Sequence, residues 1–228
     1  MKKIVLLLII SVLILSACTT IVPVTKSIAY KGIYDEKPVA ILLMPPINRS
    51  TAVDAKEYFH TTLNIPIADA GYYVIPPFFS MEILKQESAY DAELFLNAPL
   101  SKFGEVFGAD LALFTIIHKW DKNGINRVFV EVEYIFKSLK TNEVVYQRKG
   151  SITCNTSVST GISGVWGVLA DLAASAIVTA ATKYVDVAKV CNTYTFGDLP
   201  AGKYSPKFRT DGTEKAGEKE FKATVNVQ

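Results

Sequence analysis

The sequence predicts an α/β sandwich, two or three layers deep, with a mixed sheet and a long C-terminal helix. Three stretches carry that prediction. Val39 to Met44 is apolar throughout and bounded by Pro38 and Pro45, as a strand covered on both faces requires. Val128, Val130, Val132, Tyr134 and Phe136 alternate with Arg127, Glu131, Glu133 and Lys137, the period-two signature of a strand with one wet face. Residues 162–187 then run apolar and rich in small side chains at helical length.

The elements follow in order. Residues 18–37 are mixed and polar, and read as a tether that lifts a body beginning at residue 38. Ala55, Tyr58, Phe59 and Leu63 recur at helical spacing, predicting a helix from Asp54 to about Leu63. Pro66 can open a further turn to Ala70, which Gly71 stops. "YYVI" predicts a short strand, and Ser80 is placed to cap a helix running to about Glu87. The aromatics of "YYVIPPFF" are expected to pack in the core; a surface stripe there would suit a partner. Leu100, Phe103, Val106 and Phe107 share one side of a helix that Gly108 closes. "ADLALFTIIHKW" is a second central strand, followed by a hairpin turn over Asp121 to Asn126. "KTNEV" is another turn, and Val144 to Cys154 completes a meander. From Cys191 the Gly, Pro and Lys content predicts loop, with an edge strand near Ala223 to Val227. The order β-α-β-α-α-β-β-β-α places helices on one face of the sheet, in a body of residues 38–206 with a polar tail at 207–228.

The first residues form a leader. Lys2 and Lys3 precede an apolar run from Ile4 to Leu15, too short for a spanning helix of ~20 residues. Small Ser16 and Ala17 come next, then Cys18. "LSAC" resembles the lipobox of bacterial lipoproteins. The resemblance implies cleavage after residue 17, a diacylglyceryl group on the Cys18 thiol, and acylation of the new amine by a chain such as palmitate. One acyl chain anchors marginally, whereas several anchor durably. The alternative is an ordinary signal peptide with an incidental cysteine. Thr19 after the cysteine favours the outer membrane, with the body facing the periplasm.

Removing residues 1–17 from the 228-residue chain leaves 211, enough for one substantial core. The leader holds two of the 24 Lys and Arg and none of the 22 acids, so the mature chain balances at 22 and 22. A neutral chain with no basic cluster argues against nucleic-acid binding. Cys154 and Cys191 form an even pair, which an oxidising compartment would favour joining across about 36 residues for ~3–4 kcal/mol. Two buried free thiols are the alternative.

Little suggests catalysis. His60 and His118 are the only histidines and have no ligand-spaced Cys, Asp or Glu around them, so no metal or other cofactor is expected. Glu131 and Glu133 share a strand face and could serve acid–base chemistry, but solvated strand carboxylates are commoner. "MPPINRST" carries prolines where a phosphate loop needs amides, and no nucleophile elbow is present. Gly161, Gly164 and Gly167 recur every three residues, continued by Ala170, Ala173, Ala174 and Ser175. Small residues admit a close backbone, so this stripe fits packing on the sheet, a partner or oligomer interface, or membrane insertion of residues 162–182. Asp171 counts against the last.

"VAILLMPPINRS", "ADAGYYVIPP", "FGADLALFTII" and "LPAGKYSP" resemble, in order, segments of the conserved bacterial lipoprotein family typified by a genome-derived neisserial antigen lipoprotein. The likeness covers most of residues 38–206. "LPAGKYSP" lacks a proline and a histidine that family members tend to carry there. The strand–helix pairing is also similar to the TolB N-terminal domain and to the secretion-pore lipoprotein CsgG. The resemblance implies a non-catalytic accessory of envelope assembly or secretion, working by self-association and beside a pore-type lipoprotein. It carries over no catalytic residue and only the anchor, Cys18. The alternative is an activator or enzyme of cell-wall metabolism.

Overall fold

The alternating and fully apolar runs pair into one mixed sheet, and that pairing positions everything else. The computed structural model describes residues 23–124, 127–156 and 183–227; Cys18, Gly161, Gly164, Gly167 and the stretch 162–182 lie outside them. The strands are β1 (Ala40–Leu43), β2 (Ile47–Asn48), β3 (Tyr73–Val74), β4 (Leu111–Lys122), β5 (Arg127–Ser138), β6 (Val144–Asn155) and β7 (Glu220–Asn226). Their order across the sheet is β3-β1-β4-β5-β6-β7, with β2 also paired to β4. The β4–β5–β6 meander is antiparallel. β1 and β3 at one side and β7 at the other pair parallel to their neighbours.

The helices are α1 (Lys26–Ala29), α2 (Lys31–Glu36), α3 (Ala55–Thr62), α4 (Asn64–Asp69), α5 (Pro77–Gln86), α6 (Ser101–Phe107) and α7 (Lys183–Phe196). They lie on both faces of the sheet, not one. Ile41 and Leu43 of β1 join a core with α3, α4 and α7. Leu42 and Met44 join a second core with α5, α6 and the single turn Ala92–Phe95. An apolar run with no polar face demands cover on both sides, since each such side chain left in water forfeits about 1.5–3 kcal/mol. The second core reaches only the β1–β4 half. The fold is three layers deep there and two elsewhere.

Val128, Val130, Val132, Tyr134 and Phe136 all enter the first core, as the alternation predicts. Lys137 departs from it: expected in water, it is buried, and its Nζ donates to Leu96 O at 2.7 Å under the edge of the second core. Ser80 does not cap a helix. Pro77 occupies the first turn, where its missing N–H costs nothing, and Ser80 lies inside α5, buried against Pro77 O.

The described flanks of residues 38–206, which are 23–37 and 207–227, pack with the body. Tyr30 and Ile33, expected in a tether, are buried in the first core. α2 lies so close to β6 that a Cβ at Gly32 would sit 2.7 Å from Val145 Cγ1. The expected polar tail supplies β7, whose Phe221 packs over Gly150 of β6. The described helix near the C-terminus runs through Cys191 to Phe196, where loop was expected. Its buried face is Tyr184, Val187, Ala188, Cys191, Asn192 and Thr195, a clean helical repeat.

Candidate functional site

Two of the stretches that carry the family resemblance meet in space. Gly71 ends α4 with φ +93°, a conformation glycine adopts without steric cost. The chain of "LPAGKYSP" then lies directly on it. Gly202 N donates to Ala70 O at 2.8 Å, Tyr204 N to Gly71 O at 2.9 Å, and Tyr72 Oη to Pro200 O at 2.8 Å. A Cβ on Gly202 would fall 2.7 Å from the Gly71 carbonyl carbon, and one on Gly71 would fall 2.6 Å from Ser205 Cβ. These residues form a clasp, and Ala70, Ala201 and Ser205 within it also border a shallow cleft shared with Lys26, Asp211 and Glu214.

Polar groups extend the clasp to both chain flanks. Buried Asp211 accepts from Ala201 N at 2.8 Å and from Tyr34 Oη at 2.9 Å. Lys26 Nζ lies 3.7 Å from Asp211 and donates to Glu214 at 3.0 Å, where Lys207 also binds. Hydrogen bonds from Lys26 and Lys207 hold the Glu214 carboxyl below its ordinary range. Tyr30 bonds Asp198. Burial raises the Tyr30, Tyr34 and Tyr72 hydroxyls well above their ordinary value, so they remain protonated donors.

A second buried network ties α7 to the sheet. Tyr134 Oη donates to Asn192 Oδ1, and Asn192 Nδ2 donates to Thr62 Oγ1 of α3 at 2.9 Å. Arg148 Nη1 donates to Thr195 O at 2.6 Å and its Nε to Glu218 O at 3.1 Å, with the guanidinium 4.4 Å from the Phe221 ring centre. These polar side chains were missed in the sequence, where Asn192 and Arg148 look like ordinary surface residues.

The carboxylates considered for chemistry are already engaged. Glu131 meets Lys149 Nζ at 2.8 Å. Glu133 meets His118 Nε2 at 2.9 Å and accepts from Gln147 Nε2 at 2.6 Å. The Lys149 hydrogen bond lowers the Glu131 carboxyl. Burial works to raise Glu133, but the hydrogen bonds from His118 and Gln147 outweigh it and leave the group lowered. A depressed carboxyl stabilises the fold above its unfolded pKa, and that support is lost as pH falls through the folded value. Urea midpoints should therefore fall between about pH 6 and about pH 3, and Glu133→Gln should flatten that fall.

His60 is buried, its Nε2 has no hydrogen-bond partner among the described residues, and burial lowers its pKa. No group of three or more metal-binding side chains occurs among the described residues. Nor is any described helix long and apolar enough to cross a membrane. Cys154 and Cys191, far apart in sequence, are brought together with Sγ atoms 3.8 Å apart. The aromatics of "YYVIPPFF" divide. Tyr72 is buried, while Tyr73, Phe78 and Phe79 are 51%, 83% and 60% exposed at the β3 side of the sheet.

Comparison with known proteins agrees with the sequence motifs. A family model described as "Putative lipoprotein GNA1162-like" matches residues 28–199. A Neisseria meningitidis serogroup B protein described as "Putative lipoprotein NMB1124/NMB1162" is 30% identical over 110 residues, covering 48% of this chain. The match spans 50% of that relative's length. Among solved structures, lipoprotein GNA1162 from Neisseria meningitidis aligns at TM-score 0.47 and 22% identity, over 63% of this chain and 99% of that one. The LpoB C-terminal domain from Escherichia coli aligns at TM-score 0.37 and 13% identity, over 53% and 92%. With the family match covering well over half of its length, the chain belongs to the GNA1162-like lipoprotein family.

Proposed function

We propose that this protein is a lipid-anchored, non-catalytic accessory of envelope assembly or secretion. It is tethered to the outer membrane through acylated Cys18, with its body in the periplasm. The supporting observation is the clasp: the residues that mark the family make backbone contacts that close the fold. Family membership and the lipobox resemblance support the anchor. The engaged states of Glu131 and Glu133 fit a body without acid–base chemistry.

In this reading the protein works by contact, with itself and with a pore-type lipoprotein. Gly161, Gly164 and Gly167 are the residues proposed to admit the partner's backbone. The test is in-cell cross-linking of tagged protein, detergent extraction and mass spectrometry, with Cys18→Ala and Gly164→Leu alongside. Recovery of a second envelope lipoprotein, lost in both variants, is the expected result. Recovery of no lipoprotein partner, or of one unchanged by both variants, would overturn the contact reading.

A further inference from the structure

We propose that Cys154 and Cys191 form an intramolecular disulfide that staples α7 to β6; its formation in the cell rests on the envelope location proposed above. The residues are 37 apart in sequence, yet their sulfurs lie 3.8 Å apart. A disulfide requires about 2.05 Å, so the two thiols are already neighbours across the β6–α7 contact. Each sits in a fixed setting. Cys154 is the penultimate residue of β6, in register with Val128 of β5 and Val225 of β7. Cys191 lies on the buried face of α7 beside Asn192, which Tyr134 and Thr62 hold.

The pair has the marks of a structural bond rather than a reactive centre. Both side chains are fully buried, and burial raises the Cys191 thiol, which suppresses the thiolate that attacks or binds metal. Exchange therefore belongs to the chain before α7 docks. In that chain the Cys154 thiolate attacks a disulfide of an oxidising thiol–disulfide partner, forming a mixed disulfide and releasing one partner thiol. The Cys191 thiolate then attacks the Cys154 sulfur and releases the second. Two protein thiols become one disulfide, and the partner's disulfide becomes two thiols with the two electrons and two protons. The bond closes a loop in the chain between residues 154 and 191 and fixes the helix that carries Asn192 and Thr195.

The test uses the full chain, denatured and refolded in oxidised and reduced glutathione, trapped with iodoacetamide and peptide-mapped without reduction. The expected result is a single linked peptide pair, Cys154 to Cys191, with neither residue alkylated. Its Tm should exceed that of the reduced protein by roughly 10 °C. A Cys154→Ala, Cys191→Ala variant should match the reduced protein and ignore reductant; if that variant fails to fold, the map of the parent decides. Alkylation of both cysteines, or bonds only between chains, would overturn the proposal. Free thiols in protein taken from cells, alongside a linked refolded chain, would count against the envelope location and leave the pairing supported.

Discussion

Gly202→Ala is expected to destabilise the protein by about 3 kcal/mol, although it adds a single methyl group. The added carbon would meet the Gly71 carbonyl carbon at 2.7 Å and the Tyr72 ring at 2.9 Å. The first is backbone, held at a helix end by its own hydrogen bonds, so it cannot swing aside as a flexible side chain could. Relief requires lifting "LPAGKYSP" off α4. That would stretch the bonds Gly202 N to Ala70 O and Tyr204 N to Gly71 O. For a domain of this size the loss corresponds to a fall in Tm of about 6–12 °C. Differential scanning calorimetry reads it directly, and a Tm unchanged within error would show that the clasp does not hold the fold. Gly212→Ala is a useful control, since its nearest neighbour would be Ser27 Cβ at 3.3 Å.

Asn192→Leu should cost a similar amount by a different route, about 2–3 kcal/mol. Leucine nearly preserves the volume, so the loss is polar. Tyr134 Oη would be left without an acceptor in a fully buried site, and Thr62 Oγ1 would lose a donor. An orphaned buried group costs its whole desolvation penalty, whereas removing both partners can be nearly neutral. Tyr134→Phe placed on top of Asn192→Leu should therefore restore about 1 kcal/mol or more. Urea denaturation of the two single variants and the double variant closes that cycle. Strict additivity would mean that the Tyr134–Asn192 bond does not couple β5 to α7.

The sheet was legible because its signals are local. Period two in β5 and the all-apolar β1 state their own burial, and every inward residue from Val128 to Phe136 lies where the alternation puts it. The element order suggested helices on one face only, although the two-sided cover that β1 requires allowed the third layer that Leu42 and Met44 pack against. Other elements failed for physical reasons. The apolar stretch before residue 183 outweighs the modest periodicity of "KYVDVAKVCNTYTF", whose buried face includes Asn192 and Thr195. A polar residue on a core face becomes intelligible only once its partners are known, and those lie on α3 and β5. α1 and α2 are too short to show a helical repeat, and the contacts that distinguish them from a tether, among them those of buried Lys26, Tyr30 and Ile33, are made with distant parts of the chain.

The clasp was the least legible feature. Its motifs could be recognised, but their meeting depends on groups some 130 residues apart, such as the Tyr72 hydroxyl that donates to Pro200 O, at a sequence separation of 128. Nothing in residue type announces such a contact, beyond glycines at Gly71 and Gly202 where a side chain would not fit. The exposed aromatics show the converse: "YYVIPPFF" reads as core, yet Phe78 and Phe79 project from the first turn of α5.

Anchorage at Cys18 is the point on which the accessory role turns, because a body that works by contact must be held beside its partner. Intact mass spectrometry of the mature protein extracted from membranes tests it most directly. The predicted result is a chain beginning at Cys18, carrying a diacylglyceryl group on sulfur and an acyl chain on its amine, with both lost in Cys18→Ala. A mature chain that begins elsewhere, or begins at Cys18 with an unmodified thiol, would contradict it.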